Sequence, residues 1–197
     1  MTWFRYNWHR ALAHAICLLV LAWMLLAFAL RPADYSANRA LILRSGSAGL
    51  TVLVVAFACS PLAALLRCPK LTQIRRALGL YGFLFICIHL LVYVWLDMTF
   101  DFELMLRDLG ERRAMSIGVL AFVLLIPLAI TSTKGWQRRL GKRWRVLHRL
   151  IFIALPLCAL HYLWLDRDVL DTAWIFASVI AMLLIVRLPV WRFIGGK

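Results

Sequence analysis

The chain has 197 residues, of which 64% are hydrophobic and only 16% charged, against roughly 25% charged in a soluble domain. With a mean hydropathy of +0.83 it reads as an integral membrane protein. The net charge of +14 does not point to nucleic acid, because the basic residues lie between long apolar runs and not on one soluble face.

A bilayer core about 30 Å thick takes about 20 apolar residues of helix to cross. Six segments meet that need, near residues 10–30, 46–66, 77–96, 115–133, 148–165 and 172–190. The first opens on Arg5 and Arg10 and ends on the small triplet Ala27-Phe28-Ala29, which resembles a signal-peptidase site. Its apolar run exceeds the roughly 7–15 residues of a signal peptide, so a retained helix is expected. The fifth segment is the shortest, and the sixth carries Arg187 and Pro189 near its end. No stretch between segments is long enough for a soluble domain, and no internal repeat is legible. The expected fold is an all-α integral membrane protein, one six-helix bundle over residues 1–197. Cys17, Cys59, Cys68, Cys87 and Cys158 stand far apart without a C-x-x-C pair, as small hydrophobes do and a disulfide frame does not.

With the N-terminus assigned to the cytoplasm, the loops after the second and fourth helices and the C-terminus fall on the same side. Together with the N-terminus they hold 16 of the 23 Lys and Arg residues, as the positive-inside rule requires, so both termini are expected to be cytoplasmic. All nine acidic residues then lie outside: Asp34; Asp97, Asp101, Glu103, Asp108 and Glu111; Asp166, Asp168 and Asp171. That segregation, which the rule does not demand, marks the outer loops, 97–111 above all, as an expected docking face. Trp95, Trp136, Trp144, Trp164, Trp174 and Trp191 lie near helix ends, where indoles anchor at the lipid headgroups.

Ionisable groups inside a span are functional candidates by default. His148 stands at the inner end of the fifth helix, and His161 is thirteen residues on, about 20 Å further along the axis. His89, on the third helix, is a similar distance from its inner end, so His89 and His161 are expected at matching depth in the outer half of the membrane. Two neutral imidazoles at one depth are what axial ligation of a haem iron requires, and a helical bundle supplies the rigid walls. His148 and His14 lie near one depth at the inner side and form a candidate second tier; His9 is expected at the solvated rim. On a straight helix a spacing of thirteen residues leaves His148 and His161 about 140° apart in azimuth, and Pro156 between them is a candidate kink. The other reading of each histidine is a hydrogen bond between helices. No carboxylate lies within a span, which argues against a proton-coupled transporter and leaves electron transfer.

Four stretches carry a family resemblance: "RRALGL" (75–80), "IHLLVY" (88–93), "TSTKGWQRRLGKRWRVLHRLIF" (131–152) and "LHYLW" (160–164). They resemble the MsrQ family, the haem-binding membrane subunits of bacterial MsrPQ methionine sulfoxide reductase systems, which belong with the ferric reductase-like transmembrane proteins. The likeness runs from about residue 9 to 190. It implies a b-type cytochrome of the bacterial inner membrane that takes electrons from the quinone pool, or from a cytoplasmic flavin reductase. The electrons go to MsrP, a periplasmic molybdopterin enzyme that reduces methionine sulfoxide in oxidised proteins. By motif, His89, His148 and His161 match the family's haem histidines and His14 matches a histidine of its first helix. FMN is implied by the resemblance alone. Arg75 and Arg76 are candidates to meet a haem propionate or flavin phosphate, or else simply set topology. Two-haem members of the superfamily carry two histidines on each of two helices; here the third helix has only His89, and Arg75 and Arg76 stand where an inner histidine would fall. The expected complement is therefore one haem b, with a second depending on a ligand such as His14. The chain ends soon after the sixth segment, without a nicotinamide-binding domain, so a separate electron donor is expected. Two further readings stay open, a haem carrier serving another acceptor such as ferric iron and a haem-free membrane scaffold or transporter.

Overall fold

The computed structural model describes residues 2–30, 34–165 and 170–187, with side chains from residue 7 onward. Every regular element among them is helical. The long helices are α1 (Thr2–Ala29), α2 (Tyr35–Leu65), α3 (Lys70–Val92), which runs on as a π-helical turn over Tyr93–Asp97, and α5 (Arg113–Ile130). Shorter ones are α4 (Phe102–Glu111), α6 (Lys134–Leu140) and α7 (Lys142–Leu147), which leads through a 3₁₀ turn at His148–Leu150 into α8 (Ile151–Leu163); α9 is Leu170–Ile185. Five stretches are long and apolar enough to cross a membrane, Asn7–Ala29, Tyr35–Leu65, Lys70–Asp97, Arg113–Ile130 and Lys142–Leu163, while Leu170–Ile185 is apolar but shorter. The expected sixth segment is thus seen over 16 residues. Pro189 and Trp191, like Asp166 and Asp168, lie outside the described residues.

The expected boundaries miss most at α2, which begins at Tyr35 and not near residue 46. Asn38, Arg39, Arg44, Ser45 and Ser47 lower the hydropathy of its first turns, but backbone hydrogen bonding does not stop where the apolar run does. Asp34 caps this helix: its Oδ1 accepts the Ala37 N–H at 2.7 Å and the Ser36 hydroxyl at 2.8 Å, satisfying an orphan donor of the first turn. The acidic stretch 97–111 is also more ordered than a loop. It folds into α4, whose start is held by Asp101 Oδ1 accepting the Leu104 N–H at 3.0 Å, and the Tyr93 hydroxyl donates to Asp108 at 2.6 Å.

Contacts divide the chain into two compact units, Met1–Ala63 with Arg67–Asp108, and Ala64–Leu66 with Leu109–Lys197. In the first, α1, α2 and α3 share a core of Ala13, Cys17, Met24, Ala56, Cys59, Leu78 and Phe85. At the crossing of α2 and α3, a Cβ on Gly82 would stand 2.8 Å from the Leu53 side chain and 3.0 Å from its backbone nitrogen, and one on Gly49 would stand 2.8 Å from Ile86. Small residues let membrane helices approach this closely. In the second unit, α8 packs against both α5 and α9, and Ala121, Leu125, Ala154, Leu155, Ala173 and Ile180 are buried there. Gly141 joins α6 to α7 at φ +52° and ψ −120°, a conformation that side chains disfavour.

Large apolar side chains such as Leu19, Leu26, Val123, Ile153 and Ile175 remain exposed on the long helices, as a surface facing lipid requires. All five cysteines are unbridged.

Candidate functional site

His89 lies on α3, three residues before that helix ends. Its Nδ1 is 2.9 Å from the Ile42 carbonyl oxygen on α2. A carbonyl can only accept, so Nδ1 carries the proton and Nε2 is the ring's lone-pair nitrogen. The buried Ser45 hydroxyl donates to the same carbonyl at 2.9 Å and lies 3.4 Å from Nδ1. Ile42 is thus the shared acceptor that fixes the ring. The ring rests against Gly46, where an added Cβ would be 3.0 Å from both Cε1 and Nδ1.

The second unit holds His161 in the same way. Its Nδ1 is 2.6 Å from the Ala114 carbonyl oxygen at the start of α5, so Nδ1 again donates and Nε2 again bears the lone pair. A Cβ on Gly118 would lie 2.7 Å from Nδ1 and 2.8 Å from Cε1. A haem iron takes an imidazole on each axial face through a lone-pair nitrogen, and metal-binding histidines characteristically donate their other N–H to a carbonyl or carboxylate that fixes tautomer and orientation. His89 and His161 both fit that description.

The remaining candidates are held differently. His148, in the 3₁₀ turn, has Nε2 3.1 Å from the Thr131 hydroxyl. That hydroxyl spends its proton on the Pro127 carbonyl at 2.6 Å, so it accepts from His148, and here Nε2 is the protonated nitrogen. The His148 ring lies 4.0 Å, centroid to centroid, from that of Trp144, whose indole N–H donates to the Thr131 carbonyl at 2.9 Å. Trp144, expected as an interface anchor, is also built into this cluster. The 3₁₀ turn at His148–Leu150 itself alters the azimuth between His148 and His161. Three residues of 3₁₀ helix turn about 120° each where α-helix turns about 100°, narrowing the separation from about 140° to about 80°.

His14 is exposed on α1 with Nδ1 3.0 Å from the Tyr81 hydroxyl. His9, expected at a solvated rim, is instead buried at 8% exposure with Nε2 on Gln73 at 3.0 Å. The helix starts at Thr2, which sets His9 well inside it and against α3. Among the described residues its Nδ1 has no hydrogen-bond partner. Arg75 and Arg76 are both exposed on α3, and Arg75 donates to the Ser60 hydroxyl at 2.7 Å.

Sequence reading missed Ile42, Gly46, Ala114 and Gly118. Ile42 and Ala114 act through backbone carbonyls that any residue supplies, and both fall outside the apolar segments 46–66 and 115–133. The signal available was spacing. Each carbonyl precedes its histidine by 47 residues, and each glycine stands one helical turn after the carbonyl.

Residues 45–159, more than half the chain, match the family model for the ferric reductase like transmembrane component. Among curated relatives, the protein-methionine-sulfoxide reductase heme-binding subunit MsrQ of Caulobacter vibrioides is 39% identical over 158 residues, covering 80% of this chain and 73% of the relative. The protein of the same name from Rhodospirillum rubrum is 39% identical over 175 residues, covering 87% and 83%. That from Polaromonas naphthalenivorans is 33% identical over 185 residues, covering 92% and 84%. With several apolar helices of spanning length and this degree of likeness, the chain is a multi-pass membrane protein that belongs to the MsrQ family of ferric reductase-like transmembrane proteins.

Proposed function

We propose that this protein is a b-type cytochrome of the bacterial inner membrane that carries electrons from the quinone pool to a periplasmic molybdopterin methionine sulfoxide reductase, MsrP, for repair of oxidised proteins. The observation that supports it most is the matched pair of histidines, each with Nδ1–H held by a helix carbonyl and Nε2 left as the basic nitrogen. The names of the relatives, which specify a heme-binding subunit of a methionine sulfoxide reductase, point the same way. His89 and His161 would hold the iron of one haem b, which when bound supplies a one-electron ferric/ferrous couple. The chain's own part is to keep both imidazoles neutral, in one tautomer and one orientation, within walls of apolar side chains.

In this reading α9 is the sixth span and both termini are cytoplasmic. His148 and His14 serve the inner side. His148 bears its proton on Nε2 and so braces α5 against the turn that leads into α8, standing beside a flavin if FMN is held there. Arg75 and Arg76 face an anionic group, a propionate or a flavin phosphate, at that side. MsrP docks on the acidic outer segment. Asp101 and Asp108 are engaged in holding α4, so exposed Glu103 is the side chain at which charge reversal tests docking without removing a cap.

The test is a membrane assay. Reduced quinone should reduce the haem, read by its absorbance, and MsrP with methionine sulfoxide should reoxidise it. Glu103→Lys should slow reoxidation at low salt, with the difference shrinking as salt rises. Reoxidation by ferric chelates but not by MsrP would replace this function with a ferric reductase, and the same MsrP rate for Glu103→Lys at every salt concentration would remove the docking assignment.

A further inference from the structure

The two histidine clamps are the same construction made twice. Moving 72 positions along the chain, from 42 to 114, from 46 to 118 and from 89 to 161, carries Ile42, Gly46 and His89 onto Ala114, Gly118 and His161. The same step carries Leu53 onto Leu125, and the close-packed pair Gly49 and Gly82 onto Ala121 and Ala154. Within the first unit α2 supplies carbonyl and glycine to a histidine of α3; within the second, α5 supplies them to a histidine of α8. The repetition is in backbone and small residues, so no hydropathy period announces it.

In both copies the glycine is what lets the hydrogen bond form. The carbonyl belongs to the helical turn just before the glycine, and the imidazole reaches it only by lying against the surface that a Cβ would fill. Cβ contacts shorter than 3.0 Å are essentially never seen in real structures, and a Cβ on Gly118 would be 2.7 Å from Nδ1, the donating atom itself. At Gly46 the same atom would be 3.0 Å away. By contrast, a Cβ on Gly79, also on α3, would meet nothing within 4 Å among the described residues.

We propose that Gly46 and Gly118 are positioning residues for the haem, each opening one helix turn so that the axial imidazole can donate Nδ1–H to the carbonyl that sets its basicity. This rests on the reading of His89 and His161 as haem ligands. A ring that donates to a carbonyl is a stronger base at Nε2 and favours the ferric iron. An alanine that pushes the ring off its carbonyl weakens that preference and raises the midpoint potential.

The test is a potentiometric titration of the full-length purified protein with an EPR spectrum of its ferric form, for wild type, Gly118→Ala, Gly46→Ala and Gly79→Ala. His161→Ala and His89→Ala are measured beside them for haem content. Gly118→Ala should shift the ferric/ferrous balance by about tenfold toward ferrous, a rise of about 59 mV for a one-electron couple, with altered ferric g values or with loss of haem. Gly46→Ala should move in the same direction by less, and Gly79→Ala should match wild type. If Gly118→Ala does not assemble, the Gly46→Ala shift decides. Wild-type potential and g values in Gly46→Ala and in any assembled Gly118→Ala, alongside haem loss in the histidine variants, would overturn the positioning role alone. Full haem content in both histidine variants would instead overturn the ligand reading beneath it.

Discussion

Thr131→Val tests the hydrogen bond inferred between Thr131 and His148. The Thr131 hydroxyl has a single hydrogen, given to the Pro127 carbonyl at 2.6 Å, so its 3.1 Å contact with His148 Nε2 is a bond in which the histidine donates. Valine keeps the shape of the buried side chain and removes both interactions, leaving the His148 N–H without that acceptor. An unsatisfied buried polar group costs about 1–3 kcal/mol. Bonds between membrane helices measure lower, about 0.6 kcal/mol on average, and His148 is only half-buried, which together put the loss near about 1 kcal/mol. For a chain of this size that is a fall of about 2–4 °C in Tm, read by thermal unfolding of the detergent-purified protein. Thr131→Ser should keep the wild-type midpoint. In a double-mutant cycle with His148→Ala, the two losses should couple, since both remove the same bond. Wild-type Tm in Thr131→Val, or losses that simply add, would refute the Thr131–His148 bond and with it the bracing role.

Two further outcomes concern the frame around the site. Gly82→Ala should destabilise by about 1–3 kcal/mol, the usual cost of overpacking, because its Cβ would meet Leu53 at 2.8 Å and the Leu53 backbone nitrogen at 3.0 Å; Gly79→Ala, in open space, should not destabilise, and equal Tm values for the pair would contradict the close crossing. Asp34 has its carboxyl held below the usual range by the Ala37 N–H and the Ser36 hydroxyl. A depressed folded-state value means that its contribution is present above the unfolded value of about 3.9 and is lost as pH falls through the folded one. The protection factor of the Ala37 amide, its exchange measured against an unfolded chain at the same pH, should therefore fall below about pH 4 in the wild type, and Asp34→Asn, which keeps an accepting oxygen at every pH, should remove that dependence. An unchanged pH profile in the variant would mean that Asp34 is not the cap.

Much of this architecture was legible because a bilayer imposes long apolar runs, and because charge must stay out of them. The five spans come from that layer of information, whereas the unbridged cysteines follow from their spacing and the family resemblance from the motifs at 75–80, 88–93, 131–152 and 160–164. Helix ends were less legible, since α2 extends through Arg44, Ser45 and Ser47 where hydropathy falls while backbone bonding continues. Histidine was visible as a residue type, yet its tautomer was not. His89, His161 and His148 look alike in sequence, but the first two donate from Nδ1 to a carbonyl and the third from Nε2 to a hydroxyl. His9 is the reverse case, where a histidine near the chain start read as solvated and is buried against Gln73. The glycines that receive the two rings carry no chemistry of their own, and only the geometry of the neighbouring helix gives them a role.

The most direct measurement is the haem-to-protein ratio of the purified wild-type chain, taken with reduced-minus-oxidised spectra and repeated on His89→Ala and His161→Ala. The account predicts a ratio of about one with the spectrum of two axial imidazoles, lost in each variant while the protein still inserts in the membrane. A ratio near zero in the wild type, or full haem in either variant, would contradict it.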